Sequence, residues 1–100
     1  NGHIAFNEPG SKFDSRTRVV DLSEQTIEDN SRFYDSVDDV PKQAITMGLG
    51  TIMESKKIIL MANGKHKLNI LNVAMNGEVT EEVPASILQR HDNVEVYYCD

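Results

Sequence analysis

Lys56-Lys57-Ile58-Ile59-Leu60-Met61-Ala62-Asn63-Gly64-Lys65-His66-Lys67 sets an unbroken apolar run, Ile58 to Ala62, between a lysine pair and an Asn-Gly turn signal. A short continuous apolar run bounded in this way is the pattern of a strand covered on both faces, so it predicts a central, parallel strand. From Lys65 onward the pattern changes. Leu68, Leu71 and Met75 keep one helical face, Ile70 and Ala74 widen it, and Asn76-Gly77 supplies a C-terminal stop. The stretch therefore reads as strand, tight turn, helix.

Working outward, Ala44 to Met47 is a short apolar run ending at Gly48 and Gly50, which suits a buried strand, and Thr51 to Ser55 has room for one or two helical turns. Pro84 fits the first position of a short helix through Arg90, and Val94-Glu95-Val96-Tyr97-Tyr98 alternates as a strand does. Ser23 is a candidate N-cap for a helix to about Tyr34, with Glu24, Glu28 and Asp29 near its positive end. Val19-Val20 begins a short ordered stretch, and Asp35 to Pro41 is an acidic connector. Residues 1 to 18 have no sustained period and read as a long structured loop. The order of strands and helices implies right-handed crossovers and a largely parallel α/β sheet. Three strands cannot cover two faces and two edges, so more are expected upstream or in a partner.

Composition narrows the function. The 100 residues carry 16 acidic and 10 basic side chains, a net charge of −6 that opposes binding to phosphate backbones, so no nucleic-acid partner is expected. No apolar run approaches the length of a bilayer span, and Cys99 alone can form no internal disulfide; an unexported chain in a reducing, cytoplasmic compartment fits. The chain opens without Met in what looks like mid-loop, so a single-domain fragment covering residues 1–100 is expected.

Gly2-His3-Ile4-Ala5-Phe6-Asn7-Glu8-Pro9-Gly10 is the densest chemical feature. An imidazole and a carboxylate stand close enough in sequence for a bend to bring Glu8 against His3, setting its tautomer and making a general acid/base pair. An ordinary polar loop is the competing reading. Gly64-Lys65-His66-Lys67 opens a helix after a strand, where free N–H groups and lysines suit a phosphate, although one glycine is no phosphate-loop pattern. Arg32 lies four residues after Glu28, which by default makes a surface ion pair. Arg16 and Arg18 read as solvated loop charges. His66 and His91 lack ligand spacing, so no metal is expected.

The opening octapeptide from Gly2 to Pro9, together with Ser15-Arg16-Thr17-Arg18, Asn30-Ser31-Arg32-Phe33, Val40-Pro41 and Ala44-Ile45-Thr46-Met47-Gly48, resembles the glucosamine-6-phosphate deaminases. Gly64 to Lys67, Pro84-Ala85-Ser86 and Leu88-Gln89-Arg90-His91 agree in order and spacing. The resemblance covers essentially the whole chain; related phosphogluconolactonases share only the Gly-His core. It implies the C-terminal portion of a three-layer α/β/α, mostly parallel, Rossmann-like deaminase/isomerase fold, without its N-terminal half.

The implied reaction converts glucosamine 6-phosphate and water to fructose 6-phosphate and ammonia in amino sugar catabolism, with no cofactor. By resemblance His3 is the acid/base for ring opening, and Glu8 with Asn1 orients it. Many members carry Asp at the position of Asn1, and an amide takes no negative charge, which leaves Glu8 as the carboxylate partner. By the same resemblance Arg32 and Lys67 hold the substrate phosphate, and Arg18 matches part of an allosteric site whose companion lysine is here Val20, with Lys12 where a serine is usual. The proton-abstracting Asp and the phosphate-cradling loop fall in the half before Asn1, so the isolated piece is expected to be inactive. Two alternatives stay open: a galactosamine-6-phosphate deaminase or isomerase, and a sugar-phosphate-sensing domain without turnover. An open sheet edge also invites pairing with a second copy.

Overall fold

The computed structural model describes residues 2–100. Strands β3 (Ile58–Asn63) and β4 (Val94–Cys99) pair in parallel, with Ile58 opposite Val94 and Asn63 opposite Cys99. Between them in sequence come a 3-10 turn at Lys65–Lys67, helix α3 (Leu68–Asn76) and a 3-10 helix at Pro84–Arg90. Parallel neighbours need such a crossover, because no tight turn can return the chain to the same end of the sheet. Gly64, at φ 93°, makes the abrupt exit from β3, a left-handed conformation that side chains resist.

The apolar residues forecast at helical spacing do lie on α3, where Ala74 is buried and Ile70, Leu71 and Met75 are half-buried. Its C-terminal carbonyls are taken by Gln89, whose Nε2 donates to Ala74 O at 2.7 Å and Gly77 O at 3.0 Å. That side chain fastens α3 to the 3-10 helix beside it. Pro84 starts this helix as expected, and Pro84 through Leu88 are buried. Leu49, Ile87 and Leu88 form the core, with Ile4, Phe13, Met53, Ile58, Leu60, Met75 and Val94 packed around them. Each fully buried leucine contributes roughly 1.5–3 kcal/mol over its exposed state.

One expectation about strands is corrected. The Ala44–Met47 segment is not a buried strand of the parallel sheet: β2 (Gln43–Thr46) pairs antiparallel with β1 (Arg18–Asp21), as a separate two-stranded sheet, and Ile45 is 74% exposed. Within this chain β3 is covered on one face. Its residues alternate, Ile58, Leu60 and Ala62 half-buried and Ile59 and Met61 exposed, because α3 and the Pro84–Arg90 helix share one side.

Helix α1 (Glu24–Asn30) starts where expected, with Ser23 Oγ accepting from Thr26 N at 3.1 Å. It ends earlier than Tyr34. Ser31 Oγ donates back to Glu28 O at 2.5 Å, and Ser31–Phe33 continues only as a 3-10 turn. Helix α2 (Leu49–Met53) is likewise displaced by two residues from its forecast, since Ser15 caps it from outside: Oγ accepts from Leu49 N and the carbonyl from Gly50 N, both at 2.9 Å. No described helix is long and apolar enough to cross a membrane.

Arg16 Nη2 meets Glu54 Oε1 at 2.7 Å, which ties the long loop to α2. The hydrogen bond and then the charge of Arg16 hold the Glu54 carboxyl below its ordinary value of 4.5, and Glu54 in return raises the pKa of the guanidinium. For a lowered carboxyl, the stabilisation is present above the unfolded value and vanishes as pH falls through the folded one. Both groups are exposed, so the effect is small. The melting temperature of Glu54→Gln should lie slightly below that of the wild type at neutral pH and converge with it on acidification through the region below 4.5; a gap that persists in strong acid would overturn this account.

Candidate active site

The opening loop is held from four sides. Gly2 O accepts from Ala85 N at 2.8 Å, Gly10 N donates to Glu81 O at 2.8 Å, Phe6 N donates to Thr46 Oγ1 at 3.1 Å and Asn7 Nδ2 donates to Met47 O at 2.8 Å. Anchors on β2, on the following turn and on the Thr80–Ala85 segment place the loop between the β1–β2 sheet and the start of the Pro84–Arg90 helix. Gly2 adopts φ 75°, and a Cβ there would lie 2.6 Å from Val83 Cγ1, so both the conformation and the space select glycine. Such fixed loops are where proteins put reactive side chains.

His3 is exposed, with Nδ1 at 3.1 Å from Ala5 O. A carbonyl only accepts, so Nδ1 carries a proton, and in the neutral ring the lone pair is on Nε2. The expected contact with Glu8 is absent. Glu8 Oε1 instead accepts from Thr26 Oγ1 at 2.6 Å and from Ser23 Oγ at 3.5 Å, because the loop turns the carboxylate toward the N-terminal turn of α1. The partner of the His3 ring is thus a backbone carbonyl, and Glu8 fastens the loop to α1. Asn1, the third residue assigned to this group, lies outside the described residues.

His3 and Lys67 line one cavity of about 240 Å³, together with Gly2, Leu60 to Asn63, Ile70, Leu71, Ala74 and Ala85. It opens beside the carboxyl end of β3, the position at which parallel α/β sheets bind ligands. Its wall is mainly apolar, and Lys67 has no ion-pair partner among the described residues. An ammonium in such a wall suits one anionic group.

Arg32 is not brought to this cavity. It sits on the 3-10 turn after α1, where its guanidinium lies 4.5 Å from the Phe33 ring centroid and Nη1 donates to Asp29 O at 3.3 Å. The default ion pair with Glu28 is also not formed, because the helix has already ended. Arg18 is no solvated loop charge. It begins β1 and donates from Nη1 to Asn7 Oδ1 at 3.1 Å and Arg16 O at 3.2 Å. His91 is structural: Asn93 N donates to its Nδ1 at 3.0 Å, so Nε2 carries the proton given to Ser55 O at 2.7 Å.

Asn7, Thr46 and Ser15 were not singled out from sequence, although each anchors the site loop or its continuation. Their partners stand 40, 40 and 34 residues away, so no local spacing announces them. Only Thr46, between Ile45 and Met47, carries a local signal, that of a polar residue flanked by apolar ones.

Residues 14–97 match the family described as glucosamine-6-phosphate isomerases/6-phosphogluconolactonase. The chain is 62% identical over 94 residues to a glucosamine-6-phosphate deaminase of Streptococcus uberis and 56% identical over 100 residues to one of Staphylococcus haemolyticus. These alignments cover 94% and 100% of the chain but 40% and 41% of the relatives' length. A solved structure of a monomeric glucosamine-6-phosphate deaminase, described as a missing link of the NagB superfamily, superposes with a TM-score of 0.94 at 48% identity, over 99% of this chain and 41% of that one. The octapeptide motif, the parallel pair with its crossover and these matches agree: this chain belongs to the glucosamine-6-phosphate isomerase/6-phosphogluconolactonase family.

Proposed function

We propose that the complete protein carrying this chain is an enzyme that converts glucosamine 6-phosphate and water to fructose 6-phosphate and ammonia. The observation that supports it is the sharing of one cavity by His3 and Lys67 beside the carboxyl end of β3. In this reading the Lys67 ammonium binds the phosphate dianion, and the lone pair of His3 Nε2 receives the anomeric hydroxyl proton as the ring opens. The same nitrogen returns a proton to the ring oxygen. A proton then moves from carbon 2 to carbon 1, and water adds at carbon 2 as ammonia leaves, so atoms balance without a redox partner. The base for carbon 2 is assigned, by resemblance, to the part of the relatives that this chain does not span. Arg32 can join the phosphate only in another arrangement of its exposed side chain.

Ammonia measured together with the ketose phosphate, which is fructose 6-phosphate from glucosamine 6-phosphate and its carbon-4 epimer from galactosamine 6-phosphate, tests the reading. Equal yields of both products, with a preference for the gluco epimer, are expected. A preference for the galacto epimer would transfer the assignment to that substrate, and binding without ammonia would make this a sensor.

A further inference from the structure

We propose that Asn7, gripped by Arg18, is the positioning residue that sets the tautomer of His3. This rests on the reading of His3 as the acid/base of the site, but its structural part stands on its own hydrogen bonds. Asn7 is fully buried, at 0% exposure, and both ends of its side-chain amide are engaged. Nδ2 donates to Ile4 O at 3.0 Å and Met47 O at 2.8 Å, while Oδ1 accepts from Arg18 Nη1 at 3.1 Å. Two carbonyls on one end and a guanidinium on the other permit only one orientation of the amide.

The consequence reaches His3 through the turn that Asn7 closes. Asn7 N also donates to Ile4 O at 3.0 Å, and within this turn Ala5 adopts φ 50°, a left-handed conformation uncommon for a residue with a Cβ. Such a conformation persists only where surrounding bonds enforce it. The Ala5 carbonyl that this backbone presents is the one facing His3 Nδ1 at 3.1 Å. Asn7 therefore holds the turn, the turn aims the carbonyl, and the carbonyl keeps the proton on Nδ1. Arg18, from β1, fixes the amide that begins the series.

The test is nitrogen NMR of the His3 ring in the complete protein labelled at histidine, assigned by loss of its signals in His3→Gln. The wild type should show the Nδ1–H tautomer at a pH where the ring is neutral. Asn7→Asp preserves volume and the contact with Arg18 while deleting both donations, and it should mix in the Nε2–H form. Its kcat for ammonia release should fall about tenfold or more with KM within about twofold, because misaimed groups lose rate before affinity. Arg18→Met, which keeps both donations, should shift the tautomer in the same direction by less, and it serves where Asn7→Asp does not fold. A folded variant of either kind with the wild-type tautomer overturns the proposal. Absence of ammonia from the wild type would overturn the proposed function, while the tautomer measurement would still decide this one.

Discussion

His3→Gln in the complete protein is expected to lower kcat for ammonia release by about 10²–10⁴-fold, the usual contribution of a positioned acid/base group. KM should change little, because the phosphate grip is assigned to Lys67, which lines the cavity from the 3-10 turn after β3 and not from the opening loop. Stability should change little as well: His3 is exposed, and its ring bonds to Ala5 O two residues away. The glutamine amide can still donate to that carbonyl, yet it has no nitrogen able to take up a proton near neutrality. The substitution thus separates holding the loop from moving a proton. Measuring kcat, KM and melting temperature together checks it, and near-wild-type turnover in a folded variant would remove His3 from the chemistry.

The parts of this fold legible in sequence are those decided by near neighbours. The apolar run from Ile58 marks β3, the spacing of Leu68, Leu71 and Met75 marks α3, Ser23 caps α1 and Pro84 opens its 3-10 helix. Each rests on a steric or hydrogen-bonding rule acting within a few residues. The β1–β2 pair was not legible as such. Four residues a side are too few to show alternation, and pairing Arg18 with Thr46 is a decision made across 28 positions. The site divided in the same way. His3 and Lys67 stood out by residue type beside glycine turns, and one cavity unites them. The destination of Glu8 was missed because Thr26 and Ser23 compete for its carboxylate from 18 and 15 residues away. Asn7 was hidden because burial, not residue type, gives it consequence.

Gly48→Ala should produce the largest loss of stability among single-methyl additions to the described glycines with ordinary backbone angles. Gly48 adopts φ −73°, so conformational strain is not the reason. Space is. A Cβ there would lie 2.2 Å from Ser15 O, 2.3 Å from Ser15 C and 2.5 Å from Arg16 N, all backbone atoms that cannot rotate aside. Overpacking commonly costs about 1–3 kcal/mol, and a clash with main chain belongs at or above the top of that range. Ser15 must be pushed away, which strips the cap from Leu49 N and the bond from Gly50 N, and so loosens the start of α2 at the fully buried Leu49. The displacement passes along Arg16 to Arg18 and the buried Asn7, so activity should fall with stability. Gly50→Ala is the matched comparison, with contacts at 3.0–3.1 Å to the same loop. It needs a shift of only a few tenths of an ångström and should cost clearly less. Denaturant midpoints of the two variants decide the matter: equal values, or a Gly48→Ala protein as stable as the wild type, would show that the Ser15 segment yields freely and does not fix the site loop.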